Sequence, residues 1–355
     1  MAIPPTTSDE VEPLERFTDA AVRWTMEVID HRQAAALQMR GARGRRQTEQ
    51  DLRDHVEFLV TALAVDTPAC FTEYVRWLAT VLESRGVPIQ MLDESLELLA
   101  GFYVGVLDAP LAGRAARILE LGRRVLAEQR TPGQVTYGGH VPDPLPQAEA
   151  FARHLLAGEV GAARSLAAAC WESCGEYVEV ATRLFQPALY DVGRAWQCNE
   201  ITVAQEHLAT SISQTLLAKL FLEAREGVVA ASGAGRTALF AGIETNRHAL
   251  GVRIVGDAFE LAGWSVQTLG ADTPVEALVA HADATRPDLV GLSVSMVQQL
   301  PALQRAFGIL KSELGTRRPL LLVGGLPTNQ FEDVWRWVGA DAWGPDAAQA
   351  VRELA

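Results

Sequence analysis

The sequence has no uninterrupted apolar run of the roughly 18 residues that a membrane-spanning helix requires. Its first residues are acidic and lack the basic and apolar segments of a signal peptide. Acidic residues outnumber basic residues, and the formal net charge of −13 argues against a protein built to bind nucleic acid. These absences predict a soluble cytoplasmic protein that spans no membrane.

Cysteine is scarce, with four in 355 residues and no Cys-x-x-Cys pair, so reduced thiols fit the predicted compartment. Cys170 and Cys174 lie one turn apart on a predicted helix, where buried small side chains are the plainer interpretation. The one basic cluster, residues 39–46, contains four arginines. Because no helix-turn-helix pattern accompanies this cluster, we predict a solvated loop between helices.

Three regions follow one another along the chain. Up to about residue 128, apolar residues recur at three- and four-residue spacing, which predicts helices. Residues 130–146 are rich in proline and glycine and are typical of a linker. We therefore predict a helical domain at 1–130, a four-helix bundle at 147–226 and an α/β domain at 236–355.

In the third region the spacing of the apolar residues changes. Short apolar runs alternate with helical segments of roughly 10–15 residues, as in a doubly wound parallel (Rossmann-like) sheet. In such sheets ligands bind beyond the carboxyl ends of the strands. The loops that follow the apolar runs are therefore where a site is expected. The predicted strands are Thr237–Ile243, Val266–Leu269, Leu289–Ser293, Pro319–Val323 and Ala342–Trp343.

Three of these strand ends carry an informative set of residues. Residues 246–251 (NRHALG) follow the first strand, Ser293-Val-Ser295 ends the third, and Gly324-Gly325 ends the fourth. The first and second motifs are separated by 41 residues, and the second and third by 28. The set resembles the cobalamin-binding domain of methionine synthase and the adenosylcobalamin mutases, whose pattern is Asp-x-His-x-x-Gly, Ser-x-Leu and Gly-Gly.

That resemblance implies that His248 coordinates the corrinoid cobalt in place of the cofactor's own dimethylbenzimidazole base, since cobalt accepts a neutral imidazole. Asn246 stands where the pattern has aspartate, a position that hydrogen-bonds the ligand imidazole. An asparagine oxygen can accept that bond without a negative charge, so we expect a weaker cobalt–imidazole bond and retained binding. Gly251 completes this first motif.

The other two motifs are implied to receive the displaced nucleotide tail. Ser293 would hydrogen-bond the displaced base, while Gly324 and Gly325 would leave room where a side chain would clash. Ser295 departs from the leucine of the pattern at a contact position. A capped turn histidine would be the plainer interpretation of the first motif alone, and the two companion motifs favour a cofactor site.

In the second region, Trp196 is followed ten residues later by Glu206 and His207. This spacing resembles the cap helices of adenosylcobalamin-dependent photoreceptors, the CarH-type light-responsive repressors. The resemblance implies that Trp196 shields the cobalt–carbon bond, Glu206 holds the ribose and His207 lines the upper pocket. Gln197 replaces a histidine that ligates cobalt after illumination in that family, so water or His207 would take the vacated position. A packing tryptophan with a surface Glu-His pair is the plainer alternative.

The first region contains Phe58-Leu, Tyr74-Val-Arg-Trp-Leu and Arg85-Gly-Val-Pro88. This pattern resembles the globin-like sensor domains of stressosome regulators. A helical sensor domain joined to a cobalamin photoreceptor module is also similar in architecture to the photocobilins, which implies biliverdin as a second chromophore. Candidates near a bilin or haem are His31, His55, His140 and His154. Cys70 lies in no recognised attachment motif, so we expect any bilin to bind without a covalent bond.

Three functions remain open, and none makes the chain itself an enzyme. The leading one is a light sensor, in which photolysis of adenosylcobalamin changes the conformation, a homo-oligomeric assembly or contacts with a separate effector protein. The alternative is a corrinoid methyl carrier of a methyltransferase system. The third is an interaction protein in which cobalamin is a structural cofactor.

Overall fold

The chain divides into two compact units, residues 1–134 and 135–355. No helix in the described ranges is long and apolar enough to cross a membrane. The computed structural model describes residues 8–32, 34–128, 142–227, 235–331 and 333–354.

The described part of the first unit is helical throughout, as its apolar spacing predicts. Gly86, with a φ of 69°, and Pro88, the N-cap of a helix, separate two of the helices. The arginine-rich segment predicted as a loop is instead helical, with a kink at Gly41, whose φ is 62°. The helices are α1 (Ser8–Arg16), α2 (Thr18–Arg32), α3 (Ala34–Ala64), α4 (Ala69–Ser84), α5 (Ile89–Val106) and α6 (Ala109–Ala127).

The second unit begins with a helical bundle. Its helices are α7 (Ala148–Leu156), α8 (Val160–Cys174), α9 (Tyr177–Val180), a π-helical turn (Ala181–Phe185), α10 (Gln186–Gln197) and α11 (Val203–Gly227). A capping box precedes α11. The backbone N–H of Thr202 donates to Gln205 Oε1 at 3.0 Å, and that of Gln205 donates to Thr202 Oγ1 at 3.3 Å.

A five-stranded sheet of parallel strand pairs follows, in the order β2-β1-β3-β4-β5, and the predicted α/β fold is confirmed. The elements are β1 (Thr237–Ile243), α12 (Leu250–Leu261), β2 (Ser265–Thr273), α13 (Val275–Thr285), β3 (Leu289–Ser293), α14 (Leu300–Leu314), β4 (Leu320–Gly324), α15 (Leu326–Gln330), α16 (Val334–Trp337), β5 (Ala342–Trp343) and α17 (Ala347–Leu354).

The bundle and the sheet domain share one apolar core. Ile254 and Ala258 of α12 and Ala347 of α17 belong to the same buried cluster as Phe185 and Leu216 of the bundle. Burial of this continuous apolar surface holds the bundle on one face of the α/β domain. The bundle is therefore fixed relative to the loops at the carboxyl ends of the strands.

A buried polar link crosses the same interface. The hydroxyl of Tyr177 in α9 donates to Asp257 Oδ2 in α12 at 2.7 Å. Arg253 Nε donates to the other oxygen of Asp257, also at 2.7 Å. Desolvation raises the pKa of the Asp257 carboxyl, and its two donors act in the opposite direction. The carboxylate is thus stabilised mainly by side chains that face it from both domains.

Substituting Tyr177→Phe is expected to lower the free energy of unfolding of the second unit by about 1–3 kcal/mol, because Asp257 loses a donor in a buried place. Urea denaturation of the full chain measures the change. Tyr190→Phe is the matched control, since Tyr190 is half-buried and water can replace its bond to Gln186. Equal effects of the two substitutions would contradict a stabilising role for the link.

Candidate functional site

The carboxyl ends of the three central strands lie side by side. Gly242 of β1 pairs with Ser293 of β3, and Ser293 pairs in turn with Gly324 of β4. The backbone N–H of Val294 donates to the carbonyl of Gly324 at 3.1 Å, which extends the pairing by one residue. Two of the predicted site residues, Ser293 and Gly324, are therefore direct neighbours on one edge of the sheet.

The loop after β1 is held by Asn246, which is fully buried. Its Nδ2 donates to the carbonyl of Ser293 at 2.9 Å, and its Oδ1 accepts from the backbone N–H of His248 at 3.1 Å. The expected hydrogen bond from Asn246 to the imidazole ring is absent among the described contacts. The side chain instead ties the loop to the end of β3.

His248 follows on this loop, before α12, and its side chain is exposed. Surrounding protein atoms nevertheless remove part of its hydration, which lowers the pKa of the imidazole, while the charge of Glu206 raises it. A lowered pKa favours the neutral ring at neutral pH, and a neutral ring has the lone pair that metal coordination requires. His248 is thus an accessible imidazole in the state that can bind a metal.

The bundle places Glu206 close enough to act electrostatically on His248. Glu206 lies in the first turn of α11, and its Oε1 accepts from the Thr210 hydroxyl at 3.0 Å. His207 is bonded to the same carboxylate through Nδ1, and its side chain is 75% exposed. Trp196 is half-buried in the last turn of α10. Glu206 of the bundle and His248 of the sheet domain therefore lie near each other.

Gly325 adopts a φ of 120°, a conformation that L side chains rarely adopt. A Cβ atom on this residue would lie 1.8 Å from the carbonyl oxygen of Val294. At Gly324 a Cβ would lie 3.1 Å from the carbonyl oxygen of Gly344. The need for glycine at 325 thus arises from the protein backbone itself, in addition to the room expected for a ligand.

The remaining predicted residues have less specific surroundings. Gly251 lies in the first turn of α12, and a Cβ atom there would meet nothing within 4 Å. Ser295 donates its backbone N–H to Gln299 Oε1 at 2.9 Å. Sequence reasoning missed both Gln299, which is buried and shapes the loop after β3, and Asp272, whose Oδ1 accepts from the N–H of Thr245 at 2.7 Å. Neither belongs to a motif that would have indicated its role.

The histidines proposed near a bilin or haem lie in different parts of the chain. His31 is exposed on α2, and His140 lies outside the described residues. His154 belongs to α7 of the second unit, where its Nδ1 lies 2.6 Å from Glu159 Oε2.

Among the four, His55 is buried in the first unit, with its Nδ1 2.7 Å from the hydroxyl of Tyr74. Burial lowers its pKa to about 3. Burial also raises the pKa of the Cys70 thiol to about 12, which leaves almost no thiolate to attack a bilin.

The residues at the strand ends fit a corrinoid in three respects. A neutral, accessible imidazole is available on a loop that is tied to the sheet by Asn246. Gly324 and Gly325 leave the end of β4 without side chains, next to Ser293 at the end of β3. The bundle brings the Glu206 carboxylate within electrostatic reach of that imidazole. His248 would be the residue that holds the metal of such a macrocycle, and the bound group would supply a cobalt centre.

Two family models, both described as a B12 binding domain, match the second unit over residues 147–220 and 236–352. A corrinoid protein of Desulfitobacterium hafniense is 32% identical over 166 residues, which are 46% of this chain and 74% of that protein. Dimethylamine corrinoid protein 1 of Methanosarcina acetivorans is 31% identical over 110 residues, 31% of this chain and 50% of that protein. The chain thus spans only half the length of the second relative.

Among solved structures, the monomethylamine corrinoid protein of Methanosarcina barkeri is similar to this chain with a TM-score of 0.50 and 19% sequence identity. The similarity covers 58% of this chain and 95% of that protein. At this level of identity the likeness concerns the fold alone, a helical bundle followed by a parallel sheet.

Proposed function

This chain belongs to the corrinoid proteins, which bind cobalamin, and on that premise we propose that His248 is the lower axial ligand of the cobalt. The observation that carries the proposal is the position of its accessible, neutral imidazole at the carboxyl end of β1, beside Ser293 and Gly324 on the neighbouring strands. The cytoplasmic location predicted from the sequence is part of the same proposal.

Each residue has one task in this proposal. Asn246 and Ser293 hold the His248 loop against the sheet, and Gly324 and Gly325 admit the nucleotide tail. Glu206, with Thr210 as its donor, offers a carboxylate to a polar group on the upper face. When bound, the cofactor would supply a cobalt whose upper position can carry a methyl or an adenosyl group. No residue of the chain is assigned a catalytic role.

The first candidate use is that of a corrinoid carrier that presents a methyl group to a separate methyltransferase. The names of the relatives favour it, since dimethylamine corrinoid proteins are among them. This was the alternative in the sequence-based prediction, and the relatives support it better than they support the light sensor. In this use, the bundle must leave the upper face accessible to a partner enzyme.

The second candidate use is the light sensor, and the residues of the bundle favour it. Trp196 and Glu206 lie on the two helices that meet at the turn before α11, and the Glu206 charge reaches His248. A large aromatic ring and a carboxylate suit an adenosyl group, which has a flat base and ribose hydroxyls, better than a methyl group. Non-covalent biliverdin in the first unit and light-dependent self-association belong to this candidate.

Trp196→Ala separates the two uses. For a carrier, we expect the affinities for methylcobalamin and adenosylcobalamin to change together, because the upper group makes few contacts with the bundle. For a light sensor, the affinity for adenosylcobalamin should fall about tenfold more, since stacking on an aromatic ring contributes on the order of 1–3 kcal/mol. Equilibrium titration of the purified full chain in darkness measures both affinities.

A second experiment tests the uses directly. The full chain loaded with methylcobalamin is mixed with a corrinoid-dependent methyltransferase and a thiol acceptor, and the methylated thiol is measured. In parallel, the chain loaded with adenosylcobalamin is run on gel filtration in darkness and after green light. The carrier use predicts methylated thiol and an unchanged elution volume. A changed elution volume with no methyl transfer would replace the carrier use by the light sensor.

A further inference from the structure

Asn246 joins the ends of three strands. Its backbone N–H donates to the carbonyl of Ile243 in β1 at 2.9 Å, and its carbonyl accepts from the N–H of Asp272 in β2 at 2.8 Å. Its side chain then bonds the carbonyl of Ser293 in β3 and the N–H of His248. A fully buried residue with this set of partners determines where the loop that carries His248 lies.

The two side-chain bonds need one donor and one acceptor on the same short side chain, and a neutral amide has both. The backbone N–H of His248 can only donate, and the carbonyl of Ser293 can only accept, so these partners also fix which end of the Asn246 amide is oxygen. An ionised aspartate has two acceptors and no donor. It would place a charged oxygen in the position that now lies 2.9 Å from the carbonyl oxygen of Ser293, in a place without solvent.

We propose that Asn246 is a positioning residue whose side-chain amide holds the His248 loop in its binding conformation before the cofactor arrives. It follows that aspartate, the residue of the Asp-x-His-x-x-Gly pattern, would serve this site less well than asparagine does. The inference rests on the proposed role of His248. The neutral side chain of Asn246 is then an adaptation to the backbone carbonyl in β3. It is more than a weaker substitute for the aspartate that contacts the imidazole in the pattern.

The test compares Asn246→Asp and Asn246→Ala with the unmodified full chain. Both variants are expected to lower the affinity for aquocobalamin by about 10–100-fold, as loss of an outer support of a metal ligand does. At saturating cobalamin, a larger fraction should remain base-on or water-ligated in the absorption spectrum. Hydrogen exchange of the backbone in residues 244–250 of the apoprotein should become faster, a change that requires no cofactor.

Ser293→Ala is the matched control, because Ser293 takes part through its backbone carbonyl and keeps that atom. It should leave exchange in residues 244–250 unchanged. The proposal would be overturned if Asn246→Asp bound aquocobalamin more tightly and left hydrogen exchange in residues 244–250 unchanged. It would also be overturned if Asn246→Ala matched the unmodified chain in both measurements. Should the unmodified chain bind cobalamin without histidine ligation, the proposed function fails, while the exchange measurement still decides whether Asn246 holds the loop.

Discussion

The variant His248→Ala is expected to bind cobalamin about 100-fold or more weakly, since even loss of an outer support of a metal ligand reduces affinity by roughly 10–100-fold. The remaining bound cofactor should have the absorption spectrum of the base-on or water-ligated form. The physical reason is that His248 is the exposed imidazole on the β1 loop, held there by backbone bonds that alanine would keep. The protein should therefore stay folded while the ligand is lost.

His281→Ala is the control for this experiment. His281 lies in α13 of the same domain, and its Nε2 is 2.6 Å from Gln267 Oε1, so its removal deletes a surface imidazole of the same size. We expect its spectrum and affinity to match those of the unmodified chain. A His248→Ala variant with an unaltered spectrum would remove His248 as the ligand.

The second large effect is expected for Gly325→Ala. The added Cβ would lie 1.8 Å from the carbonyl oxygen of Val294, and the φ of 120° is strained for any L side chain. The position of the Cβ is fixed by the backbone, and the atom that it meets is a backbone oxygen. No side chain can therefore move to relieve the clash. We expect the free energy of unfolding of the second unit to fall by about 3 kcal/mol or more, with a matching loss of cobalamin binding.

Gly251→Ala tests whether that effect is specific. Gly251 is also part of a predicted motif, yet its Cβ would meet nothing within 4 Å, and alanine favours the helix by about 1 kcal/mol. Thermal unfolding of both variants, followed by circular dichroism, measures the difference. A Gly325→Ala protein that unfolds at the same temperature as Gly251→Ala would show that the loop before α15 adapts freely.

The central strands could be predicted because they are buried and are short apolar runs. Thr237–Ile243 and Leu289–Ser293 have the predicted limits. The second strand was predicted too short, at Val266–Leu269, since β2 continues to Thr273. Gly270, with a φ of 89°, lies at a register shift against β1. The part of β2 that follows Gly270 contains polar residues and gives no apolar signal.

The candidate site could be located from the sequence because parallel strands bring their carboxyl ends to one edge. Its internal contacts could not. The amide of Asn246 bonds a backbone carbonyl 47 residues away, and nothing in a motif specifies a backbone partner. Likewise, Gln299 and Asp272 accept hydrogen bonds from backbone N–H groups of loops. Such a backbone group does not depend on the side chain of its residue, so the sequence does not indicate the bond. No motif specifies a ligand for the first unit either, because its buried His55 and Tyr74 form a bonded pair that packing alone explains.

The most direct test of the account is electron paramagnetic resonance of the full chain bound to cob(II)alamin, prepared with natural histidine and with ¹⁵N-labelled histidine. The unpaired electron couples to the nucleus of the lower axial nitrogen, so the isotope changes the splitting only if that nitrogen belongs to a histidine. We predict triplets in the natural protein and doublets in the labelled protein, and the labelled His248→Ala variant should lose the doublets. Triplets that persist in the labelled protein would mean that dimethylbenzimidazole remains on the cobalt, and would contradict the central claim.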